Sequence, residues 1–141
     1  MSKRYTALLD GTPDRPREGT IDLPLSADFM DRPRQRVDMK EGKRAVTRYE
    51  IVESRGGRTL VHLYPETGRT HQLRVHCAHK DGLGCPITGD RLYGHAGRRL
   101  CLRATSISFA HPSTGKTMTF SVDEDFEEET AQGTDNGVPR R

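Results

Sequence analysis

Apolar and β-branched positions fall into short extended runs separated by Gly, Pro and charged residues. Residues 3–9 (KRYTALL) mix aromatic and aliphatic side chains and stop at Asp10-Gly11, which reads as a strand. It begins with no lead-in, as though cut from something longer. Two prolines and several charges make 12–18 a loop, and 19–25 (GTIDLPL) is extended because Pro24 biases Leu23 away from the helical region. Residues 45–54 and 58–65 flank Arg55-Gly56-Gly57, and their β-branched and aromatic content with a Gly-Gly tip predicts an antiparallel hairpin. Neither of its alternating faces is cleanly apolar. Residues 98–110 read as a strand entered through a short helical turn. Residues 112–116 (PSTGK) form a turn, and 117–122 a last strand pairing with its predecessor.

One stretch breaks the strand pattern. Residues 67–80 (TGRTHQLRVHCAHK) run from an extended segment through a Gly into about ten positions without Gly or Pro, the signature of a strand, a turn and a short helix. Thr70 or Arg69 is placed near the helix start, with Gly82 and Gly84 closing it. On a 3.6-residue period Leu73 and Cys77, with Val75 and His76 less closely, share one side, while Arg74 and Ala78 share another. Two arginines, three histidines and a glutamine crowd this helix and its entry turn. Such crowding suits a site that handles polyanions, and it continues through Asp90 and Tyr93 (ITGDRLYG). The expected architecture is an α+β fold: a mixed, largely antiparallel sheet with one main helix near residues 71–80.

Composition narrows the reading. The 141 residues suffice for one domain, and 32% hydrophobic content without Trp makes its core lean. No segment approaches the roughly 18 apolar residues of a membrane span, and residues 1–10 hold no signal-peptide run. Cys77, Cys85 and Cys101 cannot all pair within one chain, so reduced thiols and a cytoplasmic location are expected. Residues 123–141 carry seven acidic and two basic residues, a net −5, against +8 for residues 1–122. The acidic tail is too poor in apolar residues to offset its ordering entropy and is expected to be disordered. The basic body suits phosphate partners. Arg32, Arg34 and Arg36 alternate, so in an extended segment their guanidinium groups face one way as a phosphate strip; the alternative is a solvated loop.

TGRTHQLRVHCAHKDGLGCPITGDRLYG is similar to the RluA family of pseudouridine synthases, which isomerise uridine in ribosomal and transfer RNA. The resemblance extends backward through GKRAVTRYEIVE, RPRQ, IDLPL and KRYTALLDG, and forward through LCLRATSISFAHPSTGKTMTF. DLPL and RPRQ resemble the branch acting on 23S ribosomal RNA and a tRNA anticodon stem-loop. The family's nucleophile is an aspartate in a His-Arg-Leu-Asp motif, and no aspartate here follows His-Arg-Leu. The resemblance therefore implies the C-terminal part of a catalytic domain, residues 1–122, inactive by itself and lacking the N-terminal part that carries the nucleophile. Tyr5 matches the tyrosine of K-x-Y-x-A, which contacts the target base and is a candidate for proton transfer. Arg74 matches the arginine of H-Q-[LI]-R that pairs with the nucleophile, keeping it ionised and oriented; with that partner missing, Arg74 is expected to face water or phosphate. Leu73 is expected to pack beside the base. Arg69, His71, His76, Arg32, Arg34 and Arg36 are the further candidates for RNA contact. No cofactor is implied.

Other readings stand beside this one. His71, His76, Cys77, His79 and Cys85 invite a zinc site, but their spacing matches no usual ligand pattern. Cys85 occupies a position where relatives often carry His. Gly89-Asp90 with Tyr93-Gly94 reads as structural, with Asp90 capping a turn. The main alternatives to an enzyme are a non-catalytic RNA-binding module and a structural fragment whose sheet edge invites association.

Overall fold

The computed structural model describes the backbone of residues 2–110 and 117–121 and the side chains of residues 3–106. The proposed disorder of the acidic tail lies outside these residues. The elements are β1 (Ser2–Asp10), β2 (Glu18–Asp22), β3 (Leu25–Ala27), β4 (Gln35–Val37), β5 (Val46–Arg55), β6 (Arg58–Pro65), α1 (Gln72–Ala78), β7 (Leu102–Ala110) and β8 (Thr117–Ser121). Six strands form one sheet in the order β2-β5-β6-β1-β7-β8, and β3-β4 form a separate hairpin. Neighbouring strands are antiparallel throughout. The α+β expectation, a largely antiparallel sheet with one main helix, holds.

The β5–β6 hairpin closes as its sequence requires. Gly56 (φ 64°) and Gly57 (φ 77°) both occupy the left-handed region, and Arg55 pairs with Arg58 across them, the backbone of a tight two-residue turn. The extended run through Pro24 is realised as two strands in different sheets. Pro24 has no N–H to give, so the ladder ends at Asp22, and Leu25 donates instead to the Lys43 carbonyl.

Central strand β1 carries Thr6, Ala7, Leu8 and Leu9, all fully buried. They join Val61, Leu63, Ile21 and Tyr49 from the sheet, Leu73 and Cys77 from α1, and Leu83, Cys85, Ile87 and Cys101 from the segment that follows it. That segment is stitched to β1: Thr88 donates its N–H to the Leu8 carbonyl and Leu8 donates to that of Cys101. Because residues 100–101 are held this way, β7 starts only at Leu102, later than the expected 98, and no helical turn precedes it.

The helix is also shorter than expected. It ends at Ala78, with His79 already extended, and begins after His71, whose φ of 55° is left-handed and whose side chain makes no cap. The entry turn is held by Gln72 instead. Its buried amide accepts from the Thr67 hydroxyl (2.7 Å) and the Arg69 N–H (3.0 Å), and donates to the Val46 carbonyl (3.0 Å) and Thr47 Oγ1 (2.9 Å). A buried amide with every polar atom paired fixes the 67–72 turn on β5, because leaving any of them unpaired in the interior is costly.

Candidate active site

Beside that turn lies a cleft of about 510 Å³ lined by Lys3, Tyr5, Pro65, Thr67, Gly68, Arg69, His71, Gln72, Leu73, Arg74 and Leu102. Tyr5 stands opposite Leu63 of β6 and Ala104 of β7, where a register shift between Arg4 and Tyr5 interrupts the ladder. Such irregularities re-aim side chains. The fold thus brings together Tyr5, Leu73, Arg74, Arg69 and His71 from separated parts of the chain. Lys3 joins them, a cation that sequence reasoning passed over although it opens the same K-x-Y motif.

Arg74 does not stand alone, which corrects the expectation that it faces water or phosphate. Its Nε donates to Asp90 Oδ2 at 2.9 Å and its Nη2 to Oδ1 at 2.7 Å, a bidentate pair. Asp90 is fully buried. It caps its own turn as expected, with Oδ1 accepting the N–H groups of Leu92 (3.0 Å) and Tyr93 (3.2 Å). Burial alone would raise the Asp90 carboxyl, but the Arg74 guanidinium and these two amides outweigh it and hold the group below the usual carboxylate range. Reciprocally, the bond to Asp90 raises Arg74 against the opposing effect of its partial burial.

The preceding residue explains why Asp90 sits there. Gly89 has φ 83°, and any side chain on it would collide with the Arg99 carbonyl, so only Gly admits this approach of two backbones. The aspartate was legible as a turn cap, but the ion pair was not, because no local spacing links it to Arg74. With both oxygens engaged and no exposure, Asp90 holds the arginine and closes its own turn. Among the described residues, no Asp or Glu lines the cleft.

His76 is a second correction. It is fully buried and does not line the cleft. Its Nε2 donates to the Leu23 carbonyl at 3.0 Å, and its Nδ1 lies 2.9 Å from Thr47 Oγ1, the hydroxyl that Gln72 also reaches. Both ring nitrogens are occupied in the core, so His76 is not available for RNA contact.

The arginine strip is not formed as expected either. Arg32 lies in a turn, stacked 5.1 Å from the Phe29 ring centroid. Arg34 pairs with Asp31 at 3.2 Å and Arg36 with Asp38 at 3.5 Å. The strand begins only at Gln35, and the hairpin's own carboxylates draw the guanidinium groups to different places. Of the three, Arg36 lines a second cavity of about 710 Å³ with Phe29, Lys43 and Arg69; this cavity shares Gly68 and Arg69 with the cleft.

Cys77, Cys85 and Cys101 are free and buried. Burial pushes the Cys77 thiol far up, which keeps it protonated and unreactive.

The family model for RNA pseudouridylate synthase matches residues 1–79. The dual-specificity RNA pseudouridine synthase RluA of Haemophilus influenzae is 43% identical over 130 residues, covering 88% of this chain and 58% of that protein. This chain belongs to the RluA family of pseudouridine synthases. The RluA enzyme of Escherichia coli is 45% identical over 130 residues with the same coverage. Among solved structures, human RNA pseudouridylate synthase domain containing 1 superposes with a TM-score of 0.73 at 28% identity, over 89% of this chain and 55% of that one. Human RNA pseudouridylate synthase domain containing 4, at 24% identity and a TM-score of 0.69, shares the fold. As an RluA-family chain it spans little more than half the length of these relatives.

Proposed function

We propose that residues 1–122 are the C-terminal part of a pseudouridine synthase catalytic domain acting on a uridine in a stem-loop of 23S ribosomal RNA or tRNA, in the cytoplasm. The supporting observation is a cleft that gathers Tyr5, Leu73 and Arg74 but, among the described residues, holds no carboxylate. In this reading the nucleophilic aspartate lies in a segment outside this sequence.

Asp90 occupies Nε and one Nη2 position of Arg74 and leaves the Nη1 side of the fork for a second carboxylate. A guanidinium already fixed by one bidentate partner is pre-organised to orient the nucleophile and keep it ionised. That aspartate attacks the flipped-out uridine, the bond between base and sugar breaks, and the base turns and rejoins through carbon. The isomerisation has no net redox change and needs no cofactor. Tyr5 is the candidate to move the proton that restores the base's aromaticity, with Leu73 packed beside the ring. Splayed loop bases reach such a cleft more readily than paired ones. Arg69, Lys43 and Arg36, which line the adjoining cavity together with Asp38 and Glu41, are the candidates for neighbouring phosphates in this reading.

The second reading, an RNA-binding module without chemistry, is favoured by the same missing carboxylate. A pseudouridine assay on a uridine-containing stem-loop separates the outcomes. The chain alone is expected to bind without turnover, and pseudouridine formed above background by this chain overturns the external nucleophile.

A further inference from the structure

A single phenol links the cleft to the arginine hairpin. Tyr93 Oη accepts the backbone N–H of Gln35, at the start of β4, at 2.8 Å, and lies 2.7 Å from His71 Nδ1. A phenol that accepts from an amide keeps one proton of its own to donate, and Nδ1 is the acceptor placed to receive it. With Nδ1 accepting from the phenol, a neutral imidazole carries its proton on Nε2. Tyr93 is held for this task on every side. Its backbone N–H donates to Asp90, its ring meets the His71 ring edge-on at 5.6 Å, and the Arg74 guanidinium lies 5.4 Å from its centroid. His71 lines the cleft, and its Nε2 makes no hydrogen bond with any described residue. Its left-handed φ of 55° is a strained choice for a non-Gly residue, of the kind that concentrates at functional sites.

Resting on the RNA reading above, we propose that His71 contacts the target uridine as a neutral Nε2–H donor to a base carbonyl oxygen. Tyr93 is the positioning residue that fixes its tautomer and ties it to the hairpin carrying Arg32, Arg34 and Arg36. A neutral donor suits a neutral carbonyl, whereas the anionic phosphates are matched by the cleft's other cations, Lys3 and Arg69. Burial and the adjacent Arg74 charge both hold His71 below its ordinary pKa, against the smaller opposing effect of Asp90, and keep the ring uncharged at neutral pH.

Two measurements on the full chain test this. Nitrogen NMR of the His71 imidazole should report the Nε2–H tautomer in the wild type and a tautomer mixture in Tyr93→Phe, which keeps the ring stacking but loses the hydroxyl. An Nδ1–H tautomer in the wild type, or no change in Tyr93→Phe, overturns the relay. Binding is compared on a uridine stem-loop RNA and on the same RNA with an abasic site at that uridine. Losing one neutral hydrogen bond should weaken binding to the uridine RNA about fivefold for His71→Asn, and the tautomer mixture should weaken it about twofold for Tyr93→Phe, with smaller losses for each on the abasic RNA. Asn tolerates the left-handed backbone, so His71→Asn removes the imidazole without new strain. Equal losses on both RNAs mean a phosphate or purely structural role and overturn the base contact. A wild type that binds neither RNA refutes the RNA reading and the contact with it, while the tautomer result still decides the relay.

Discussion

His71 stands at the entrance of the short helix that holds His76, and the two do opposite work. His76 lies in the core with both nitrogens paired, to Thr47 and to the Leu23 carbonyl. His71, at the helix entrance, has one nitrogen held by Tyr93 and lines the cleft. The same side chain is a structural plug in one place and a candidate ligand in the other. The difference lies in the neighbours: β5 supplies Thr47 beneath the helix for His76, whereas residues 67–69 of the entry turn line the cleft beside His71. One free valence in a cavity, and not the residue type, separates the two.

That contrast can be broken most forcefully at the ion pair supporting the cleft side. Asp90→Ala leaves Arg74 without its partner and uncaps the following turn, and should lower the unfolding free energy by about 3 kcal/mol in urea titration, as expected for breaking a buried pair from one side. A loss below about 1 kcal/mol would mean that solvent already satisfies the guanidinium.

The next test sets the two histidines against each other. His76→Ala opens a cavity and strands the Thr47 hydroxyl and Leu23 carbonyl, and should cost about 2–3 kcal/mol while leaving RNA affinity per folded molecule unchanged. His71→Asn should change stability by less than about 0.5 kcal/mol. The pH dependence sharpens this. Burial, the largest influence, holds the His76 pKa below its ordinary 6.5, opposed by the Leu23 carbonyl and the Asp22 charge and reinforced by His79. The unfolded chain therefore takes up a proton that the folded core resists, so this contribution is whole above pH 6.5 and is lost as pH falls from there toward the folded-state value. The same substitution should flatten the acid side of the stability curve; an unaltered slope would assign it to other groups.

The smallest effect is expected in the hairpin. Arg34→Ala and Arg36→Ala should each weaken RNA binding a few-fold and reduce the slope of log affinity against log salt by about 0.7–0.9 for each phosphate no longer neutralised. Unchanged affinity at both would return them to solvated surface pairs with Asp31 and Asp38.

Much of this was legible along the chain. The strands of the β5–β6 hairpin, the Gly-Gly turn and the main helix follow from local pattern, because turn conformation and side-chain period are properties of a few adjacent residues, whereas Tyr5, Leu73 and Arg74 were picked out by the resemblance to the RluA family. Other features came only with the folded chain. Gln72 looked like one more polar helix residue, yet its amide fastens the entry turn to β5. His76 looked like a ligand, yet Thr47 and Leu23 surround it. Asp90 looked like a turn cap, yet it also holds Arg74. Hydrogen bonds and ion pairs of this kind join groups far apart in sequence, and neither partner carries a local mark of the other. Only the packing of α1 and the 83–101 segment onto the sheet determined which polar side chains would be satisfied inside and which would be left open to a substrate.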